Sequence, residues 1–517
     1  MSDARERPLS RRDLLMMIGT LAGSSASYGA MAALGLAQGS AHAGPLRLAR
    51  APGAASVLVL GAGIAGLATA LELRDLGYEV QVLEYNPRAG GRCWTLRGGD
   101  EYTELGGFTQ KCELDKGLYF NPGPWRIPHH HHTLLAYCRR LGVALEPFVQ
   151  VNHNALLHSK RAFGGKPQRY ASIQGAFTGS VAELLAKVVN QSGLDAPVSR
   201  EDKEMLLEAL RSWGALEQDF TFAGGSGDSP GGAIASGAVG RDDLVRSGLW
   251  RAIEARAGFQ SVMLQPVGGM DQIARGFERE VGSFIRYGAK VTAIHQDASH
   301  VTVSYVDARA GGRPAHVTAD WCVCTLPLTV LSQLEMTVSP SMRASINALA
   351  YHPAVKVGLQ FKRRFWEEDD GIYGGITYTD LPIRQIGYPS AGVGSGGKGV
   401  LLGAYLFGVP AAYEFTSLAP PERVRQAVEI GAQIHPQYTQ EFETGIGVGW
   451  HRVPWVLGCS ARWTEELRNS HYETLRQIDG RIVLAGDHVS QLTAWQEGAV
   501  SSARDALTRL HERVVSA

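Results

Sequence analysis

Val57-Leu-Val-Leu-Gly61-Ala-Gly63-Ile-Ala-Gly66 is an apolar run ending in a Gly-x-Gly-x-x-Gly turn, and Glu79-Val-Gln-Val-Leu83 is a second apolar run ending in Glu84. The order is strand, tight turn, helix, and a second strand with an acid at its tip. Gly61 lets the chain turn sharply, Gly63 lets a pyrophosphate approach the backbone, and Gly66 lets the helix pack closely on the strand. The helix start, including Ile64 and Ala65, offers free N–H groups and the positive dipole end to phosphates. Glu84 follows the glycines by about 20 residues, where a carboxylate can bind a ribose hydroxyl. A lone glycine motif is weak evidence, but both flanking strands and the acid accompany this one. The stretch predicts a dinucleotide-binding unit.

A chain of 517 residues has room for two or more domains. Lys plus Arg and Asp plus Glu balance at 50 each, and there is no concentrated basic tract, which argues against a nucleic-acid partner. The run His129 to His132 has no acid or cysteine cluster at ligand spacing, so it predicts a solvated or helix-entry segment and no metal. Cys93, Cys112, Cys138, Cys322, Cys324 and Cys459 show no zinc-like pairing. Most read as buried thiols, with one disulfide open if the protein is exported.

Residues 1–43 read as an address. Ser10-Arg11-Arg12-Asp13-Leu14-Leu15 precedes a mildly apolar stretch that ends in Ala41-His42-Ala43, a small-x-small cleavage pattern. The paired arginines resemble a twin-arginine signal, which implies export to the periplasm or medium after folding. The stretch is too weakly apolar to predict stable membrane insertion.

Along the rest of the chain, a breaker-rich loop at 119–128 leads into a helix through Leu134 to Leu141. From about 176 to 222 the spacing is helical, with Leu184, Leu185, Val188 and Val189 on one face and Met205, Leu206 and Leu210 on another. Residues 223–240 read as a long Gly/Ser/Ala-rich loop or lid. Val267-Gly-Gly-Met-Asp271 opens a helix, 289–294 and 301–305 alternate as strands, and 355–407 is strand-rich. The strand Ile482-Val-Leu-Ala-Gly486-Asp487 and a helix from about 495 to 515 close the chain. The dinucleotide unit is therefore expected to be assembled from several segments.

Beyond Glu84 the chain continues Tyr85-Asn-Pro-Arg-Ala-Gly90-Gly91-Arg92. This Glu-x(n)-Gly-Gly-Arg continuation resembles the flavin amine oxidase superfamily, as does Ala485-Gly486-Asp487-His488 followed by Ala494-Trp495-Gln496-Glu-Gly-Ala499. The resemblance implies FAD, held non-covalently, with Arg92 at the pyrophosphate and Asp487 at the ribityl chain or pyrophosphate. Tyr85, Gly91 and Val291 are further implied cofactor contacts. Gly123-Pro124-Trp125-Arg126-Ile-Pro is similar to the Gly-x-x-Arg-[Val/Ile]-Pro loop of L-amino acid oxidases, where the arginine clamps the substrate carboxylate; its residues 123–126 also border the flavin. A guanidinium presents two parallel donors matched to a carboxylate and stays charged at any working pH. Phe365-Trp366 through Gly375, and Thr379-Asp-Leu-Pro, are also similar to that family. So are Thr109-Gln-Lys-Cys112, Val267–Asp271 and Gly486-Asp-His-x-Ser490, matching exported bacterial members.

What the resemblance implies is an α/β (α+β) fold. Its segments are 44–150 (FAD and carboxylate loop), 151–264 (substrate domain with helical insert), 265–345 (FAD), 346–445 (mixed substrate-binding sheet) and 446–517 (FAD). Lys356 falls where the superfamily has a lysine holding a water against flavin N5, and Tyr405 where a tyrosine shares the carboxylate, offset by one extra residue, Gly403 or Ala404. Trp495 falls at an aromatic wall beside the flavin, and Ala494 replaces a common glycine whose carbonyl can bind the substrate amine. Cys459 lies near the region where monoamine oxidases attach flavin, but the surrounding sequence differs. The implied reaction is oxidative deamination: hydride leaves Cα of an L-amino acid for flavin N5, O2 accepts the electrons, and a 2-oxo acid, ammonia and hydrogen peroxide result. A homodimer is implied by resemblance alone. Alternatives are a monoamine or polyamine oxidase, an amino-acid oxidative decarboxylase/monooxygenase, and a non-catalytic FAD-fold binding protein.

Overall fold

The computed structural model describes residues 46–51, 55–190, 200–223, 241–253 and 262–516. Residues 1–43 and the Gly-rich loop at 224–240 lie outside that set.

The strand Ser56–Leu60 sits inside a six-stranded sheet ordered 478–479, 482–484, 321–324, 56–60, 79–84, 285–287. It pairs in parallel with Glu79–Glu84 on one side and Trp321–Cys324 on the other, and the latter pairs in parallel with Ile482–Leu484. One sheet thus gathers strands from both ends of the described chain, as the several-segment expectation requires. Such strands are covered on both faces, which explains their unbroken apolar runs. One face packs against the helices Ile64–Leu76, Gln272–Val281 and Gln496–Val515, the other against the four-stranded sheet that carries 289–296 and 301–307.

The opening turn is set by sterics. Gly61 adopts φ +94°, and a Cβ on Gly66 would lie 1.9 Å from the Gly61 carbonyl oxygen. Neither backbone atom can yield, so Gly66→Ala must separate helix from strand. This substitution is expected to abolish loading of the dinucleotide that the turn predicts, read as loss of cofactor absorbance in the purified protein.

The second large element is a seven-stranded sheet ordered 442–449, 354–361, 399–407, 385–387, 376–379, 156–158, 168–169. Its interior strand Ala354–Phe361, second in that order, is buried at every position. One face packs under the helices 411–416 and 420–431; the other meets Trp94, Phe120 and Trp450.

The helical insert forms as two helices, Tyr170–Asn190 and Arg200–Gly214, but not with the expected apolar faces. Leu184, Leu185 and Val188 are exposed, as are Met205 and Leu206, whereas Ala182, Ala186, Val189, Leu207 and Leu210 are buried. Close approach of the helices decides this. A Cβ on Gly214 would come within 2.2 Å of the Ala182 Cβ, so the small residues form the contact and the bulky ones turn outward. All six cysteines are free thiols, five of them buried.

Candidate functional site

At the glycine turn, Gly61 and Gly66 are close-packed, while a Cβ on Gly63 would meet nothing within 4 Å. That open face lies at the N-terminal end of the helix that begins Ile64-Ala65, with space and donors for a phosphate. Glu84 is buried at the tip of its strand. Its Oε2 accepts from the Ala62 N–H at 2.6 Å, and its Oε1 from the Asn86 N–H and side-chain amide at 2.8 and 2.7 Å. A carboxylate has about four acceptor positions, so Glu84 braces the turn and retains capacity for a hydroxyl. Burial raises its pKa, opposed by these hydrogen bonds. Asn86 and Arg88 were not anticipated. Arg88 stacks 4.4 Å from the Trp94 ring centre and 5.3 Å from that of Trp455, and donates to the Gly91 carbonyl, fixing the Gly90-Gly91 turn. Tyr85 is half-exposed beside this corner. Val291 is buried against Leu60 and Leu83, at a bulge in its strand.

Arg92 joins the two ends of the chain. It pairs with Asp487 through its two terminal guanidinium nitrogens, and Nη1 also donates to the Cys459 carbonyl at 2.5 Å. Gly486 takes φ +140° ahead of Asp487, whose Oδ2 also accepts from the Ala494 N–H at 3.1 Å. Ala494 has φ +69°, a left-handed conformation that costs a non-glycine residue about 1–2 kcal/mol. The backbone therefore takes a glycine-like form although the residue is alanine. Trp495 is the N-cap of the final helix, and the Ala499 N–H donates to its carbonyl at 3.3 Å. Gln496 donates to the Cys93 sulfur at 3.0 Å, a second tie between the segments. Burial pushes the Cys459 thiol up in pKa, away from the thiolate form.

The Arg126 loop and the sheet meet beside this corner. A Cβ on Gly123 would lie 2.0 Å from the Arg92 carbonyl oxygen, so the loop is seated directly on Arg92. Lys356 is buried and donates its ammonium to the Gly123 carbonyl. It sits opposite Tyr405 in the antiparallel register, and a bulge at Gly403 takes up the extra residue. The bulge keeps Tyr405 on the same face as Lys356. The Lys356 nitrogen is 4.9 Å from the Trp125 ring centre and 4.8 Å from that of Tyr405. Trp125 fills a notch made by Gly387, where a Cβ would come within 2.5 Å of the ring. The half-buried guanidinium of Arg126 lies 5.0 Å from the same indole. Pro124, between Gly123 and Trp125 in sequence, is half-buried. Burial, with the positive charge of Arg126, pushes Lys356 down to about 7. Burial raises the Tyr405 hydroxyl, which stays protonated as a donor.

The structure therefore brings Arg126, Tyr405, Lys356 and Trp125 together. It places Arg92, Asp487, Ala494 and Trp495 in the adjoining corner. Its parts suit a dinucleotide: an open glycine face at a helix start, a braced acid, and an arginine at a junction of segments. Among the described residues no three His, Cys, Asp or Glu side chains converge as metal ligands. His131 and Glu497, also unanticipated, connect the Arg126 loop and the helix after it to the Trp495 segment.

Known proteins share the chain's sequence pattern and its fold. An L-amino-acid oxidase of Siganus canaliculatus is 28% identical over 480 residues, covering 89% of this chain and 86% of that protein. The flavin-dependent L-tryptophan oxidase RebO of Lentzea aerocolonigenes is 28% identical over 489 residues, covering 87% and 97%. In fold, cyclohexylamine oxidase from Brevibacterium oxydans IH-35A superposes with a TM-score of 0.60 at 18% identity, covering 90% of this chain and 100% of that one. The sequence pattern of the flavin-containing amine oxidoreductases matches residues 64–510. The chain belongs to the flavin-containing amine oxidoreductase family.

Proposed function

We propose that the protein is an FAD-dependent L-amino acid oxidase that converts an L-amino acid, O2 and water to a 2-oxo acid, ammonia and hydrogen peroxide. The observation that carries this reading is the grouping of Arg126 with Tyr405 and Lys356 around the Trp125 indole. A fixed cation beside a phenolic donor suits a substrate that carries a carboxylate, and a neutral-ended amine has no use for the pair. The L-tryptophan and L-amino acid oxidases among its relatives support the same reading.

Arg126 and Tyr405 would hold the carboxylate and so present one face of Cα. Trp495 would wall the site, and the Ala494 carbonyl would accept from the substrate amine. FAD, held without a covalent bond by Gly61 to Gly66, Glu84, Arg92 and Asp487, would supply the two-electron redox chemistry. Lys356 would keep a water in place. Export by the twin-arginine-type segment and assembly as a homodimer belong to the same proposal.

The test is a peroxide-release screen of purified protein against the twenty L-amino acids, their D forms and simple amines. Turnover confined to L-amino acids supports the reading, and turnover of amines alone overturns it. Lys356 adds a pH signature. Its pKa lies below the ordinary lysine value, so it is charged below about pH 7 and neutral above. The pH profile of kcat/KM should bend near there, and Lys356→Met should remove the bend. For stability the sign is opposite to that of an ion-paired lysine. Between the folded pKa and the ordinary one the unfolded chain holds more protons, so this residue makes stability rise with pH across that window.

A further inference from the structure

Glu497 is fully buried in the first turn of the final helix, two residues after Trp495. Its carboxylate reaches the start of another helix, accepting from the Thr133 N–H at 3.0 Å and the Leu134 N–H at 2.7 Å. The helix His132–Arg140 is the element that follows the Arg126 loop, and its first N–H groups have no partner within the helix. It has no side-chain cap of its own from His131, so Glu497 caps it from across the structure. The same junction explains the histidine run. His131 is buried with its ring set edge-on to Trp495, centroids 4.9 Å apart at 83°. His130 packs on His131 at 4.8 Å, and His129 on His130 at 5.2 Å. Burial holds His131 neutral, so this is a contact of uncharged rings.

We infer that Glu497 and His131 are positioning residues that lock the Arg126 loop to Ala494–Trp495. The carboxylate clamp and the aromatic wall then keep one mutual geometry. This rests on the oxidase reading above. Two hydrogen bonds to charge and one ring contact span the joint. The six-residue stretch from Arg126 to His131 has little freedom once both its end and the facing helix are held.

The test uses the full-length, flavin-loaded protein and benzoate as an unreactive carboxylate probe. Glu497→Gln keeps the size but sets an amide N–H against a backbone N–H. It should raise the benzoate Kd and the KM for L-amino acids about tenfold, with kcat within about threefold and flavin absorbance intact. His131→Ala should act in the same direction, whereas His131→Phe, which keeps the ring edge, should resemble the unaltered protein. An unchanged benzoate Kd in both Glu497→Gln and His131→Ala overturns the inference. Loss of bound flavin in both variants also overturns it, since the residues would then serve the cofactor and not the clamp. If Glu497→Gln does not fold, His131→Ala against His131→Phe decides alone. A different outcome marks failure of the underlying reading: unaltered protein that neither binds benzoate nor oxidises any L-amino acid.

Discussion

Arg126→Ala should lower kcat/KM for L-amino acids by roughly two to three orders of magnitude, chiefly through KM, with flavin absorbance unchanged. Truncating one partner of a buried, hydrogen-bonded charge pair costs about 2–5 kcal/mol, and each 1.4 kcal/mol is tenfold. Arg126 sits on the Trp125 indole in a half-buried site, so the carboxylate it would meet is shielded from water. Arg126→Lys should recover little, because an ammonium cannot present two parallel donors or stack in the same way. Arg126→Ala should also raise the Lys356 pKa, since the positive charge of Arg126 helps hold it down. The bend in the pH profile would then move to higher pH. An unchanged KM in Arg126→Ala would remove the case for a carboxylate clamp.

Glu104→Ala should be the most destabilising single change away from the site. Both partners of its ion pair with Arg423 are almost fully buried, with oxygens 2.8 and 2.9 Å from the guanidinium nitrogens. Arg452 adds a third contact at 3.0 Å. The pair ties the hairpin 101–111 to the helix Pro420–Gly431. Removing the acid leaves Arg423 buried against the Leu418 and Thr416 carbonyls without its carboxylate. Breaking such a pair costs about 3–5 kcal/mol. A chain of this size calls for a kinetic measure, so the readout is the half-life of activity at fixed elevated temperature. The double change Glu104→Leu with Arg423→Met should survive better than Glu104→Ala alone, because no buried charge is then left unpaired. Equal half-lives for Glu104→Ala and the unaltered protein would show the pair to be inert.

Much of the site was legible in short motifs because backbone constraints write themselves into sequence. Gly66 must lack a Cβ where the helix crosses the turn, and the acid at Glu84 must end its strand to reach Ala62. The Gly-Asp end of the 482–484 strand was equally plain, and the sheet places it beside Arg92. The one-residue offset before Tyr405 could be noticed but not resolved by reading alone. Pairing with Val357 and Gly358 resolves it as a bulge at Gly403, a matter of hydrogen-bond register between distant strands.

Other features had no local signal. The outward Leu184 and Val188 look like a core stripe until Gly214 and Ala182 bring two helices too close for bulky side chains. Glu497 looks like an ordinary first-turn acid, and only the fold shows that it caps a helix more than 300 residues earlier in the chain.

By itself the sequence determined the nucleotide turn with its two flanking strands, the family resemblance and the candidate clamp at Arg126, because each depends on residues close together in the chain. Only the tertiary structure decided which distant groups share a surface: Arg92 with Asp487, Lys356 with Tyr405 and Trp125, Glu497 with the helix that follows Arg126. Those pairings arise from sheet register and helix packing. Both are set by the burial of the whole chain, which no short stretch encodes.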